Sequence, residues 1–130
     1  MQGHLHGIPI LLVERDGFCA AYVAQGLEHA GARLIGPYGT GEEALACLAD
    51  PRRFPQAAVL DGSDADAVQL CVALAGRDIP FVVINQPHDL ELAPACQGRP
   101  VFSKPFGAFQ VVEAVELLAA RARRGAAPPA

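Results

Sequence analysis

The stretch VFSKPF, residues 101–106, contains the only lysine of a chain that otherwise relies on arginine for basic side chains. Lysine carries a compact ammonium on a flexible stem that suits a single anionic oxygen, whereas arginine presents a rigid planar fork. Apolar residues precede Lys104 and a proline follows it. This pattern predicts a short strand that ends at Lys104. It also indicates that the ammonium of Lys104 contacts a single anionic oxygen, a role to which arginine is less suited.

Four further apolar segments precede this one, and polar or turn residues follow each of them. The five segments are Ile10–Val13, Arg33–Ile35, Ala57–Leu60, Phe81–Ile84 and Val101–Ser103. The first, third and fourth are nearly continuous runs of aliphatic residues and phenylalanine. Such runs are typical of strands that are buried on both faces of a parallel sheet.

Helical patterns separate the predicted strands. Apolar residues recur at intervals of three and four in three stretches: Val23, Leu27 and Ala30; Val68, Cys71, Val72 and Ala75; Val111, Val115 and Leu118. Thr40 and Glu43 form a capping box ahead of another helix, and Pro94 predicts that the helix after the fourth strand is short and irregular. Strands that alternate with helices predict right-handed crossovers and a doubly wound α/β fold.

The length of 130 residues fits one domain. We expect a flexible leader over residues 1–7, a folded domain over residues 8–124 and a flexible tail over residues 125–130. His4 and His6 in the leader have no third metal ligand nearby, so a disordered leader is favoured over a metal site. The last helix is expected to begin near residue 106 or 107 and to end at Arg123.

Composition excludes several classes of function. The net charge of -4 argues against binding to nucleic acid, and no apolar run approaches the roughly 20 residues of a membrane span. The four cysteines show no metal-binding spacing. Together with the lack of a secretory signal, they are expected to be buried thiols in a reducing cytoplasm.

Polar side chains follow four of the predicted strands. They are Glu14, Arg15 and Asp16 after the first strand, Asp61 after the third, Asn85 after the fourth and Lys104 after the fifth. Ligands of open α/β sheets bind beyond the carboxyl ends of the strands. Carboxylates that converge with one ammonium suit a hard cation and a phosphoryl group, although any single member could instead cap a helix.

At this point the chain resembles the receiver domain of two-component response regulators over nearly its whole length. The residues that carry the resemblance are ILLVERD (10–16), AAVLD (57–61) and FSKPF (102–106). The resemblance implies a flavodoxin-like fold with a five-stranded parallel sheet in the order 2-1-3-4-5. It further implies that Asp61 accepts a phosphoryl group from the phosphohistidine of a histidine kinase or a phosphotransfer protein, and that the protein is not an enzyme.

The resemblance also implies a magnesium site at the phosphoacceptor. Glu14, Asp61 and the backbone carbonyl of Ser63 are the expected ligands, with Asp16 as a further candidate. Because only the carbonyl of Ser63 is used in the family, the identity of its side chain is expected to matter little.

The resemblance places the phosphate contacts on the opposite side of the site. Lys104 is expected to meet a phosphoryl oxygen, or to pair with the free carboxylate of Asp61, and its bond to Pro105 is usually cis in the family. Asn85 stands where the family has threonine or serine, and it is expected to contact the phosphate through its amide. Val101 stands where many relatives have a switching aromatic residue, so we expect signalling to pass through residues 86–100 instead.

Arg15 is the other departure, because the family places a second acidic residue at this position. A guanidinium directed inward would repel magnesium and pair with Asp61. A guanidinium directed outward would leave the metal to Glu14, with Asp16 as a further candidate ligand. Binding would then be weaker than with two successive acidic residues. We expect magnesium binding that is weakened but retained.

The leading hypothesis is a single-domain response regulator that works in a phosphorelay and signals by altered protein binding. No output domain is expected, because the chain ends just after the fifth helix. The alternative is a degenerate receiver that binds proteins without phosphorylation. The sequence does not decide whether either form is a homodimer. An aspartate-dependent phosphatase is disfavoured, because its nucleophile would fall on Val59, and the glycines of residues 36–41 lack the spacing of a dinucleotide site.

Overall fold

The computed structural model describes residues 4–85 and 87–126. In chain order its elements are β1 (Pro9–Val13), α1 (Gly17–His29), β2 (Arg33–Tyr38), α2 (Gly41–Leu48), β3 (Ala57–Asp61), α3 (Ala67–Gly76), β4 (Phe81–Ile84), α4 (His88–Leu92), a 3₁₀ turn (Pro94–Cys96), β5 (Val101–Phe102) and α5 (Ala108–Ala126). Each predicted strand is present, and β2 runs three residues further than expected.

The five strands form one parallel sheet in the order β2-β1-β3-β4-β5. This confirms the predicted doubly wound α/β fold and its strand order. All residues of β1, β3 and β4 are buried, because one hydrophobic cluster covers each face of the sheet. The first cluster packs α1 and α5 on one face, and the second packs α2 and α3 on the other.

Two helices begin with side-chain caps. The carboxylate of Asp16 accepts the backbone N–H groups of Phe18 and Cys19 at 2.9 and 3.4 Å, which starts α1. The hydroxyl of Thr40 accepts the N–H of Glu43 at 3.2 Å and donates to its carboxylate, which confirms a cap at the start of α2.

The segment between β4 and β5 is short and irregular, as Pro94 predicts. The helix α4 has five residues and stops before Pro94, which opens the 3₁₀ turn. Leu90 and Cys96 are the buried residues of this segment and anchor it against α3 and β4.

Residues 4–7 of the expected flexible leader form a turn that packs on the domain. Leu5 is fully buried, and its N–H donates to the carbonyl of Ala30 at 3.1 Å. The N–H of Gly7 donates to the carbonyl of Gly31 at 2.9 Å, so this turn is attached to the end of α1. At the other end, α5 continues to Ala126, into the expected tail. Residues 1–3 and 127–130 of the two predicted flexible ends lie outside the described residues.

The four cysteines are buried free thiols, as expected from their apolar surroundings. Within the part of the chain that the structure describes, no helix combines the length and apolar composition that crossing a membrane requires.

Candidate functional site

The carboxyl ends of β1 and β3 bring Glu14 and Asp61 together. Val13 pairs with Leu60 in the sheet register, so the residues that follow them emerge side by side. The two residues are only 2% and 3% exposed, and they are the buried charged residues of the described chain. Burial of two carboxyl groups side by side is costly unless hydrogen bonds, a shared proton or a cation compensates it.

Hydrogen bonds from the β3–α3 loop compensate the cost of burying the carboxylate of Asp61. Its Oδ1 atom accepts the backbone N–H of Ser63 at 2.8 Å and the hydroxyl of Ser63 at 2.5 Å. Its Oδ2 atom accepts the backbone N–H of Arg15 at the longer distance of 3.4 Å. Although burial raises the pKa of Asp61, hydrogen bonds from Ser63, Glu14 and Arg15 hold that pKa below its ordinary value. Asp61 is therefore the carboxylate of the pair.

The hydroxyl of Ser63 makes a contact that the sequence did not lead us to expect. The sequence suggested that only the carbonyl of Ser63 is relevant, yet its side chain donates directly to Asp61. A hydroxyl two residues after a loop aspartate is a known way to form such a local hydrogen bond, and that spacing was the available signal.

Glu14 is the less satisfied member of the pair. Its Oε2 atom accepts the N–H of Asp16 at 3.0 Å, whereas its buried Oε1 atom has no hydrogen-bond partner. Burial raises the pKa of Glu14, and the neighbouring Asp61 raises it further. Glu14 also faces the thiol of Cys19, whose pKa burial and this carboxyl group raise to about 12.

Lys104 lies on the Glu14 side of the site. Its Nζ atom is 3.4 Å from Oε1 of Glu14 and 3.6 Å from Oδ2 of Asp16. The expected pair with Asp61 is wrong for this structure, since the ion pairs of Lys104 in the described residues join it to Glu14 and Asp16. Partial burial opposes protonation, but the charges of Glu14 and Asp16 raise the pKa of Lys104.

Arg15 takes the outward orientation of the two alternatives. Its side chain is exposed and forms none of the ion pairs in residues 4–85 and 87–126, while its backbone N–H reaches Asp61. The guanidinium therefore leaves the space between Glu14 and Asp61 free. Asp16 points to α1 and to Lys104, with just over half of its side chain exposed.

The β4 and β5 ends complete the site. Asn85 has a φ of 57°, in the left-handed region that asparagine tolerates better than most residues. Its Oδ1 atom accepts the backbone N–H of Lys104 at 3.3 Å, and the peptide bond from Lys104 to Pro105 is cis. Val101 is 44% exposed and contributes no polar atom to the site.

The donor set can be tested against magnesium. Mg²⁺ is often held by one or two carboxylates, with water or phosphate oxygens in the remaining positions. The buried Oε1 atom of Glu14, which accepts no hydrogen bond and pairs with Lys104 at 3.4 Å, belongs with Asp61 to a pair of carboxyl groups that fits such a cation. Within the described residues no group of three His, Cys, Asp or Glu side chains is arranged around one metal position.

The sequence analysis missed an aromatic surface beside the site, formed by Phe18, Tyr22 and Phe106. Phe18 is 88% exposed, and a shallow cavity of about 310 Å³ lies between these rings, Asp16 and Lys104. The hydroxyl of Tyr22 accepts the N–H of Ala108 at 2.9 Å, which ties α1 to the start of α5. Phe18 lies in the first turn after Asp16, outside the apolar stripe of α1, and this was the available signal.

Comparison with known proteins supports the fold through solved structures alone, because no family model and no curated protein sequence matches the chain. A response regulator receiver protein from Sinorhizobium medicae WSM419 is 22% identical with a TM-score of 0.78, over 91% of this chain and 98% of that one. The signal receiver domain of a modulated diguanylate cyclase from Desulfovibrio desulfuricans G20 is 25% identical with a TM-score of 0.77, over 92% and 98%. SdrG from Sphingomonas melonis Fr1 is 31% identical with a TM-score of 0.69, over 90% and 98%.

These likenesses agree with the sheet order of this chain. The chain belongs to the family of response regulator receiver domains.

Proposed function

We propose that the protein accepts a phosphoryl group on Asp61 from the phosphohistidine of a histidine kinase or a phosphotransfer protein, and that it signals by altered protein binding. The observation that carries the proposal is the state of Asp61. This residue is buried at the end of β3 with a lowered pKa, and the backbone N–H that reaches its Oδ2 atom lies at the long distance of 3.4 Å. A preorganised carboxylate of this kind is suited to attack phosphorus.

The transfer is a displacement at phosphorus. An oxygen of Asp61 forms the new O–P bond while the bond from phosphorus to the imidazole nitrogen of the donor breaks. The nitrogen keeps the electron pair, and the product is an acyl phosphate on Asp61. Since the phosphoryl oxygens carry the charge through this step, nearby cations favour it.

Two sources of positive charge fit the site. Lys104 is held by Glu14 and Asp16, and its flexible stem would allow the ammonium to turn to a phosphoryl oxygen once Asp61 carries one. Mg²⁺, when bound, supplies Lewis-acid charge to the phosphoryl oxygens. Glu14, Asp61 and the carbonyl of Ser63 would hold it, and Asn85 would face the phosphate through its amide.

The aromatic surface supports a protein donor. Exposed aromatic side chains around a buried reactive group are typical of protein contact sites. Phe18 and Tyr22 flank the cavity that opens beside Lys104. A Phe18→Ala variant is expected to lose transfer from a phosphorylated histidine phosphotransfer protein and to keep labelling by acetyl phosphate.

The direct test is labelling with radioactive acetyl phosphate in the presence of magnesium. We expect one labelled group per chain that hydroxylamine removes, and no such label in Asp61→Asn. Asp78→Asn is the matched control, because Asp78 is an exposed aspartate at a φ of 56°, which asparagine tolerates. Equal labelling of the wild type and Asp61→Asn contradicts the proposal.

A receiver that acts without phosphorylation is the second candidate. The β4–β5 side of the site favours this candidate. Asn85 replaces the threonine or serine of the family and accepts the backbone N–H of Lys104, and Val101 replaces the switching aromatic residue and has no hydroxyl. A partner protein captured equally by the wild type and Asp61→Asn, with or without acetyl phosphate, supports this candidate. Capture that requires the phosphorylated wild type supports the first.

A further inference from the structure

The two oxygens of Asp61 are bound very differently. Both hydrogen bonds to Oδ1 come from one residue, Ser63, whose N–H and hydroxyl lie at 2.8 and 2.5 Å. The backbone N–H that reaches Oδ2 is that of Arg15 at 3.4 Å, beyond the usual range of about 2.7–3.2 Å for such bonds. Oδ2 is therefore the oxygen whose lone pairs are the more available.

The hydroxyl of Ser63 contributes something that the backbone alone does not. A carboxylate turns readily about its terminal torsion, because that torsion has broad minima. One N–H bond to Oδ1 leaves part of this rotation open. A second donor from the same residue restricts it, and the direction of Oδ2 is then fixed as well.

We propose that Ser63 is a positioning residue, whose hydroxyl fixes the carboxylate of Asp61 so that Oδ2 is the oxygen that attacks phosphorus. This inference rests on the proposed function. With acetyl phosphate as donor, the bond from Oδ2 to phosphorus forms, the bond from phosphorus to the acetyl oxygen breaks, and acetate leaves with the electron pair. Oδ1 becomes the carbonyl oxygen of the product and keeps both hydrogen bonds, so the loop does not have to rearrange.

The test compares four proteins: the wild type, Ser63→Ala, Ser63→Thr and Ser103→Ala. Ser103 is the matched control, because it is the other serine of the chain, is exposed, and donates none of the side-chain hydrogen bonds in the described residues. Labelling by acetyl phosphate is measured over a range of donor concentrations, to separate the maximal rate from the half-saturating concentration. Thermal unfolding is recorded for each protein, so that any loss of folded material is known.

We expect Ser63→Ala to lower the maximal rate roughly tenfold, because orientation of the attacking group affects the step and not the binding of the donor. The half-saturating concentration should stay unchanged, Ser63→Thr should recover most of the rate, and Ser103→Ala should match the wild type. A Ser63→Ala rate within twofold of the wild type overturns the inference, and so does a threonine variant as slow as the alanine variant.

The two levels of the proposal fail in different ways. A wild type that takes no label on Asp61 overturns both the proposed function and the role of Ser63. Normal labelling of Asp61 with no effect of Ser63→Ala overturns only the inference. Label that resists hydroxylamine and acid, and that disappears in Ser63→Ala, would identify Ser63 as the acceptor itself and overturn its role as a positioning residue.

Discussion

The two sides of the candidate site are built in different ways. On the β1–β3 side, Glu14 and Asp61 are almost completely buried at the ends of two strands that are buried throughout. On the β4–β5 side, β5 has two residues, Val101 is 44% exposed, and Asn85 adopts a left-handed backbone. The acceptor is thus held by the core of the sheet, whereas the groups expected to sense a phosphate lie at its thin edge.

This difference separates the residues that position Asp61 from the residues expected to respond to its phosphorylation. The hydrogen bonds of Asp61 come from Ser63 in its own loop and from Arg15 in the loop after β1, so no donor from β4 or β5 is among them in the described residues. The β4–β5 side contributes Lys104 and the backbone contact of Asn85. Under the proposed function, substitutions on the first side should therefore affect transfer more directly than substitutions on the second.

The largest effect is expected where the two sides touch, at Gly62. A Cβ atom on Gly62 would lie 2.7 Å from Cδ2 of Leu90, 2.8 Å from Cγ1 of Val83 and 2.9 Å from the carbonyl oxygen of Asn85. Overpacking of this kind costs about 1–3 kcal/mol, and we expect Gly62→Ala to lie at the upper end, because one of the three contacts is with backbone. Urea denaturation measures the change in the free energy of unfolding.

Gly76→Ala is the matched control, since Gly76 ends α3 and a Cβ there meets nothing within 4 Å. Alanine is favoured over glycine in helices by roughly 0.5–1 kcal/mol, so the control should be neutral or more stable. A Gly62→Ala protein as stable as this control would show that α4 does not pack on the acceptor loop.

The contrast between the two sides also explains what the sequence revealed. The buried strands have a strong signal, because continuous aliphatic runs such as 10–13 and 81–84 allow few alternatives. The polar residues that follow β1 and β3 then fall at one edge by topology alone. Glu14 and Asp61 could therefore be placed before the structure was seen, and their hydrogen-bonding partners could not.

The partners depend on side-chain directions, which sequence patterns do not encode. Lys104 has a flexible stem and reaches Glu14 and Asp16, not Asp61 as expected. The burial of Leu5 was missed for a related reason: a single leucine between polar residues gives no periodicity, yet it packs on α1. Short-range chemistry of this kind needs the tertiary structure.

Restoring the family's hydroxyl at Asn85 is expected to have the next largest effect. Threonine is β-branched, and the left-handed region costs such residues about 1–2 kcal/mol, so Asn85→Thr should destabilise the protein by about that amount. Asn85→Gly keeps the backbone freedom and loses only the contact with Lys104, so its loss should be smaller. Chemical denaturation of both variants measures the change in the free energy of unfolding. If Asn85→Thr is as stable as the wild type, the left-handed backbone at this position does not strain threonine.

A pH-dependent effect is expected for Glu14 in metal-free buffer. Burial raises the folded-state pKa of Glu14 above its ordinary value of 4.5, and Asp61 adds to this shift. The stabilising contribution is therefore complete below that value and is lost as the pH rises through the folded-state pKa. Glu14→Gln resembles the protonated acid, so it should gain stability relative to the wild type between pH 4.5 and neutrality.

Thermal unfolding across this pH range measures the difference, with Glu28→Gln as the control for the same change of charge on the exposed face of α1. A wild type that gains stability relative to Glu14→Gln as the pH rises would mean that Glu14 is the ionised member of the pair. Added magnesium should reverse the order by stabilising the wild type, because a cation that binds the folded carboxylates favours the folded state.

The smallest effect is expected at Asp16. The comparison of two Asp16 variants shows whether its helix cap or its ion pair with Lys104 matters more. Asp16 caps α1, and it also lies 3.6 Å from the ammonium of Lys104. An exposed ion pair contributes little, whereas a lost cap is measurable. Asp16→Ala should therefore lower the melting temperature by about 4 °C, while Asp16→Asn, which keeps the cap, should leave it nearly unchanged.

Asp66→Ala is the matched control, because Asp66 precedes α3 without a side-chain cap and its loss should have little effect. If Asp16→Asn is as unstable as Asp16→Ala, the charge of Asp16 and its pairing with Lys104 outweigh the cap. Asp16 would then belong with Lys104 to the responsive side of the site. If only alanine destabilises, Asp16 acts mainly as the structural cap of α1.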